Sequence, residues 1–532
     1  MDKLCSVDQA VGLIKNYDTV NLVASGGGFQ DAELVYQALE KRFLDTGEPN
    51  NLTLVHVTGV GFGNETGIGR LAHEGLVKRV VGGHWLWSKV MSQLAIEEKI
   101  EAYNLPQGVM ACLMRDIAAG RPGLLTTVGL HTFIDPRLEG GRMNKRSEEP
   151  LVDLIDFQGR EMLLYKSFPI NVCIVRGTTA DEDGNISVEQ EGLDLHLLSA
   201  AQATYNSGGI VIAQVKRIAR KGTLNPRLVR VPAHMVTAVV VDPAQWQTVE
   251  CEYNPSLCGE VRVPLDTMPS LEFGIRKFIA RRAALELKPG AVVNLGIGVT
   301  DGVANIAAEE GIIDDFVFSI EMGVVGGVPA KVLIFGAAWN PDCIMSMPTQ
   351  FDFYHGGGLD LGFLGMGESD EHGNVNVSKL GKRITGSGGF IDISQTAKAM
   401  IFCGSFTNGD IELDIKDGKI SIVKDGTVKK FRRQVEQVTF SGEFAAEKGQ
   451  PVLYGTERAV FKLASGRMVL TEIAPGVDLE KDVLAQMEFR PEIAADLTIM
   501  DPAIFNPQRM MLSNPALFQH FAEKRLQRGQ SD

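Results

Sequence analysis

The chain of 532 residues carries 52 Lys and Arg against 66 Asp and Glu, a net charge of −14, with 44% hydrophobic and 22% charged residues. That balance supplies a sizeable core and excludes general disorder, and at roughly 150 residues per domain the length points to two to four domains. A net negative surface without a long Lys/Arg run excludes nucleic acid as an expected partner.

The N-terminal MDKLCSVDQAVGLIKNYD mixes acidic with apolar residues and lacks the uninterrupted apolar core of a signal peptide. No segment reaches the ~20 apolar residues that span a bilayer, so a soluble, cytoplasmic protein with no membrane partner is expected. The seven cysteines (Cys5, Cys112, Cys173, Cys251, Cys258, Cys343, Cys403) are odd in number and scattered without a CxxC pair. Reduced thiols in a reducing compartment are the expectation.

Short apolar runs that end in glycine recur along the chain: DTVNLVASGGG (18–28), LTLVHVTGVGFG (52–63), AVVNLGIG (291–298) and DDFVFSIEMGVVGG (314–327). Helical spacing follows the first, in DAELVYQALEKRFLDTG, and such runs read as buried parallel strands feeding helices. The fold class is α/β. CIVRGTTADEDGNISVEQ (173–190) resembles GFLGMGESDEHGNVNVSK (362–379); Asp181, Glu182, Gly184, Asn185 and Val188 match Asp370, Glu371, Gly373, Asn374 and Val377 at an offset of 189. Asn21 and Asn294, each before a Gly-rich turn, pair at an offset of 273. The chain is therefore two related halves with open, mostly parallel sheets, residues 1–255 and 273–532, joined by a linker at 256–272. The first half carries extra chain, with 104–150 its candidate location. A site at the mutual interface of the halves is expected, because clefts favour domain boundaries.

FVFSIEMGVVGGVPA (316–330) places Glu321 at the C-terminal end of a strand, before Gly323, Gly326 and Gly327. Ligands collect at that end of the strands in open α/β sheets. A glutamate there is either an acid hydrogen-bonded to turn amides or a functional group; glycines that open the approach favour the second.

SIEMGVVGG resembles the active-site segment of the class I coenzyme A transferases. YNLPQG (103–108), VGLHTFIDPRLEGGRMN (128–144), FDFYHGGGLDLGFLG (351–365), NVNVSKLG (374–381), GSGGFIDI (386–393) and FCGSFT (402–407) extend the likeness to the single-chain acetate/propionate branch, from about residue 5 to about residue 510. The resemblance implies an α-type half and a β-type half carrying Glu321. It implies transfer of CoA from a short-chain acyl-CoA to a free carboxylate through a glutamyl-CoA thioester on Glu321. The oxyanion donors would be the Gln107 side chain and the Gly404 N–H. A glutamate with an ordinary pKa of about 4.3 is ionised at neutral pH, so the attack needs no general base. Separate-subunit relatives read Ser-Glu-Asn-Gly around the nucleophile, whereas this chain reads Ser319, Ile320, Glu321, Met322, Gly323, which makes Met322 a candidate wall of the acid's pocket.

The resemblance further implies CoA contacts at the turn Gly296, Ile297, Gly298, Val299 and Thr300, a backbone cradle at Gly386, Gly388 and Gly389, and a polar contact from Asn376. Lys379, Lys382 and Arg383 either neutralise the CoA phosphates or form a solvated face. CoA and acyl-CoA are substrates, no tightly bound cofactor is expected, and a homodimer or homotetramer is implied. The nine histidines show no HxH or HExxH spacing, so no metal site is expected; His131 is the one placed nearest the substrate, against the reading of a hydrogen-bonded structural histidine. An acyl-CoA hydrolase on the same scaffold and a non-catalytic α/β protein sensing CoA or a sugar phosphate stand as alternatives.

Overall fold

A computed structural model describes residues 3–264, 270–330 and 332–512. Its contacts divide the chain into two units. The first comprises the chain up to Val263 with Ile320–Phe353 and Gly381–Asp392; the second comprises Pro264–Ser319, Tyr354–Leu380 and the chain from Ile393 onward. The expected linker includes residues 265–269, which lie outside the described residues.

The first unit is built on seven strands in the order Ala238–Val241, Ile210–Ala219, Val172–Asp181, Thr19–Leu22, Leu52–His56, Val77–Gly82, Glu101–Asn104, each parallel to its neighbour. Val172–Asp181 is buried at every residue, as a central strand covered on both faces is, with its apolar run Val172–Val175 followed by the buried polar residues Arg176, Thr178, Thr179 and Asp181. The helix Glu33–Thr46 follows the first strand and ends at Gly47, whose φ of 74° is the left-handed conformation that closes a helix. A three-stranded antiparallel sheet (Gly123–Thr126, Arg160–Lys166, Val152–Phe157) lies off the main one.

The second unit orders Val317–Ile320, Val292–Leu295, Leu361–Gly365, Ala399–Cys403 and Val452–Gly455 in parallel. Ala459–Ala464 and Arg467–Ile473 then continue antiparallel, and Glu492–Ile499 closes the order. In the first unit Thr19–Leu22 sits between Leu52–His56 and Val172–Asp181, and in the second Val292–Leu295 sits between Val317–Ile320 and Leu361–Gly365, so in both the sheet order reverses at the first strand in sequence. The likeness of the halves holds at the level of hydrogen bonds. Asp181 accepts from the Asn185 N–H at 2.9 Å and from its side-chain amide at 2.9 Å; Asp370 accepts from the same two groups of Asn374 at 3.1 Å each. The elements between Leu52–His56 and Val172–Asp181, from Val77–Gly82 to Arg160–Lys166, contain the stretch 104–150 in their middle. No helix among the described residues is long and apolar enough to cross a membrane.

Candidate functional site

Glu321 follows the strand Val317–Ile320 directly and is 6% exposed. The next two residues turn the chain sharply: the Gly323 N–H donates to the Ile320 carbonyl at 3.0 Å, and Gly323 has φ 102°. A Cβ at 323 would stand 2.0 Å from the Met345 carbonyl oxygen, so glycine alone fits this close return of the backbone. Asn294 steadies the strand from its neighbour, its amide donating to the Ser319 carbonyl at 3.1 Å and to the Tyr354 hydroxyl at 3.3 Å. Register makes the asymmetry of the halves explicit. Asn21 pairs with Val55 and Asn294 with Ser319, so Val57 occupies in the first half the place of Glu321 in the second.

In the first unit, Glu321, Gln107 and Gly388 belong to one neighbourhood. Gln107 opens the helix Gln107–Ala118 and is 2% exposed. Its side-chain amide lies 3.4 Å from the Met322 sulfur and 3.8 Å from that of Met347. Its backbone N–H donates to the Gly388 carbonyl at 2.9 Å, while the Gly388 N–H donates to Gly83 at 2.8 Å. Met322 also faces Ser25, whose hydroxyl is 3.8 Å from the sulfur, and a Cβ at Gly336 would come within 2.9 Å of its side chain. Gly386 packs against Asn104 and Trp85, and Gly389 is buried beside Gly388. Lys382 and Arg383 are exposed. The histidine at this corner is His84, whose ring carbon is 3.2 Å from where a Gly388 Cβ would stand. His131 instead sits in a turn with its N–H on Asp135 at 3.0 Å.

In the second unit, the Gly296–Thr300 turn leaves the strand Val292–Leu295 at the point where the sheet order reverses, the usual ligand crevice of such sheets. Gly296 N–H is tied to the Phe363 carbonyl at 2.8 Å and the Thr300 hydroxyl to the Gly296 carbonyl at 2.6 Å, whereas Ile297, Gly298 and Val299 remain partly exposed ahead of the helix Gly302–Glu310. Asn376 is fully buried and committed within its own loop. Its amide donates to Glu368 at 2.8 Å and to the Lys379 carbonyl at 2.6 Å, and its oxygen accepts from the Ser378 N–H at 3.1 Å. Lys379 is half-buried beside it. Gly404 follows the strand Ala399–Cys403; its N–H donates to the Gly455 carbonyl at 3.2 Å and so is engaged in the sheet ladder. A Cβ at 404 would lie 2.8 Å from the Lys430 amine, a neighbour that no sequence motif pointed to.

Comparison with known proteins shows the family. A family model described as coenzyme A transferase matches residues 5–242. The chain is 47% identical to the caffeate CoA-transferase of Acetobacterium woodii over 515 residues, covering 95% of this chain and 98% of that one. It is 44% identical to the acetate CoA-transferase YdiF of Escherichia coli K12 over 501 residues, 94% of each. The crystal structure of the acyl-CoA transferase YdiF apoenzyme from E. coli O157:H7 superposes with a TM-score of 0.92 at 42% identity, covering 97% of this chain and 98% of that one. A second structure of that enzyme, a thioester complex with CoA, matches with a TM-score of 0.91. With relatives of this identity aligned over nearly its whole length, the chain belongs to the coenzyme A transferase family.

Proposed function

We propose that this CoA-transferase moves CoA from a short-chain acyl-CoA to a small, unbranched free carboxylate of the acetate and propionate type, by way of a glutamyl-CoA thioester on Glu321. The supporting observation is the burial of Glu321 at the C-terminal end of its strand, with the Gln107 amide directed at the adjoining Met322. A buried carboxylate at a strand end, beside an amide whose present acceptor is a weak sulfur, suits an acyl transfer in which that amide turns to the developing oxyanion.

In this scheme a carboxylate oxygen of Glu321 attacks the thioester carbonyl, expelling the CoA thiolate and leaving a mixed anhydride. The thiolate then attacks the glutamyl carbonyl, releases the first acid and conserves the activation as a glutamyl thioester. An incoming acid reverses the sequence. Gln107 and the strand edge at Gly404 serve the oxyanion, and the Gly296–Thr300 turn with Gly388, Gly389 and Lys379 borders the CoA. Asn376, saturated by its own loop, shapes that loop. The halves 1–255 and 273–532 are taken as descendants of one ancestral domain, and assembly as a homodimer or homotetramer completes the proposal.

The test combines acyl-CoA incubation with mass spectrometry of the Glu321 peptide and a panel of acceptor acids. A CoA adduct on Glu321, and CoA transfer dependent on added acetate or propionate, are expected. Thiol release independent of acceptor would identify a hydrolase instead. Glu321→Ala and Glu321→Asp should both abolish transfer with the fold intact, the aspartate because one methylene misplaces the attacking oxygen.

A further inference from the structure

Two strong donors of the first unit rest on one weak acceptor. The Ser25 hydroxyl donates to the Met322 sulfur at 3.8 Å, and the Gln107 side-chain amide lies 3.4 Å from the same sulfur and 3.8 Å from that of Met347. Ser25 is 1% exposed and Gln107 2%. Neither donor has an oxygen or nitrogen acceptor among the described residues. A thioether accepts weakly, so each donor forgoes most of what water would give it, and two such donors converging on one atom are set for a better acceptor.

Both residues are fixed through their backbones. The Ser25 N–H donates to the Phe29 carbonyl at 2.8 Å in the turn that follows Thr19–Leu22, and the Gln107 N–H donates to the Gly388 carbonyl at 2.9 Å. A Cβ at Gly26 would stand 2.4 Å from the Trp87 indole, so the turn is packed tightly behind Ser25. The order of the first sheet reverses at Thr19–Leu22, and Ser25 therefore lies where ligands of such sheets collect. The acceptor is the part that can move. Met322 is unbranched and directly follows Glu321, and the bare Cα of Gly336 gives it room, since a Cβ there would stand 2.9 Å from its Cγ and 3.6 Å from the Leu193 side chain.

With the sulfur 3.8 Å from one donor and 3.4 Å from the other, the hydroxyl and the amide stand no more than about 7 Å apart. The two oxygens of one carboxylate, each about 2.8 Å from its donor, bridge that distance. We infer that the Ser25 hydroxyl and the Gln107 amide grip the carboxylate of the free acid, which takes the place of the Met322 thioether beside Glu321. The inference rests on the proposed reading that a short free carboxylate is the acceptor and that the exchange takes place at Glu321. Neutral donors suit a ligand that must also leave as the product acid. Both address the carboxylate and not the chain behind it, so the contribution of Ser25 is the same for propionate and butyrate.

The experiment titrates carboxyl-labelled [13C]propionate and [13C]butyrate into the full-length parent, Ser25→Ala and Ser25→Cys, followed by NMR, with thermal melting as the control. Ser25→Ala should weaken binding of both acids by about ten- to hundredfold, the loss expected for one hydrogen bond to a charged group, and by factors that agree within about threefold. In transfer from acetyl-CoA, kcat/KM for propionate should fall in step. The melting temperature should hold, because the hydroxyl gives up only a sulfur. Binding by Ser25→Ala within about threefold of the parent, a loss that differs more than about threefold between the two acids, or a parent that takes up no propionate below about 100 mM overturns the inference. If Ser25→Ala melts early, Ser25→Cys, close in size and a far weaker donor, decides by the same criterion. Binding is read without turnover, so an unmodified Glu321 peptide in the parent would defeat the glutamyl route and leave the carboxylate site standing.

Discussion

Gln107 illustrates how a side chain is held ready without being satisfied. It is anchored through its backbone to Gly388 while its amide faces two thioether sulfurs, both weak acceptors. Gln107→Ala should lower kcat by about 10²- to 10³-fold and leave KM for acyl-CoA nearly unchanged in steady-state assays, the pattern of a donor used in the transition state. Met322 forms the complementary contact. Hemmed by Ser25, Gln107 and the bare Cα of Gly336, it fills space next to Glu321. Met322→Ala should shift acceptor preference toward bulkier acids, measured as the ratio of kcat/KM for a branched acid to that for acetate. Glu321 was legible in the sequence as a candidate because a strand, an acid and a glycine turn are contiguous there. Lys430 was not, because nothing in the residues around it distinguishes a lysine beside Gly404 from one in solvent.

The helix Gln107–Ala118 begins after Pro106, which offers no side chain to its first amides. Asp392 takes the part of the missing cap from a distant segment: its carboxylate accepts the Gly108 N–H at 3.0 Å and the Val109 N–H at 3.1 Å, and the residue is fully buried. A carboxylate at a helix N-terminus satisfies orphan donors and meets the positive end of the helix dipole. Asp392→Ala should therefore destabilise the chain by about 2–3 kcal/mol in urea unfolding, with Asp392→Asn intermediate, and should lower activity because Gln107 is the first residue of that helix. The repeated Asp–Asn pairs teach the opposite lesson. Asp181 with Asn185 and Asp370 with Asn374 are the clearest internal match in the sequence, and both close a turn: a backbone N–H joins each network, from Ala233 to Asn185 at 2.9 Å and from Gly442 to Asn374 at 3.0 Å. Their repetition records a shared loop geometry, not shared chemistry.

The first unit contains buried titratable groups whose effects on stability oppose one another. Burial pushes His56 and His84 down to about 4 and His196 to about 3, so all three are neutral when folded and take up protons on unfolding below about 6.5. Their contribution is complete above pH 6.5 and declines as the pH falls. Burial raises Asp31 to about 8 against the opposing charge of Arg176. The folded chain thus holds a proton that the unfolded chain loses near 4, and stability declines as pH rises from about 4 to 8. Three groups against one give a rise to about pH 6.5 and a fall beyond it, near 1.4 kcal/mol per pH unit on the upper limb. Asp31→Asn should flatten that limb between pH 6.5 and 8 in denaturant unfolding, while the parent loses about 2 kcal/mol across it. The sequence by itself determined the parallel strands with glycines at their ends, the repeated Asp–Asn turn and the candidate nucleophile, because burial period, turn chemistry and motif are properties of neighbouring residues. Only the tertiary structure decided that Ile320–Phe353 and Gly381–Asp392 pack with the first unit, that Asp392 caps the Gln107 helix, and that Lys430 stands at Gly404. Those juxtapositions join segments far apart in the chain, and what selects them is complementary packing and hydrogen-bond satisfaction in three dimensions, which no local pattern encodes.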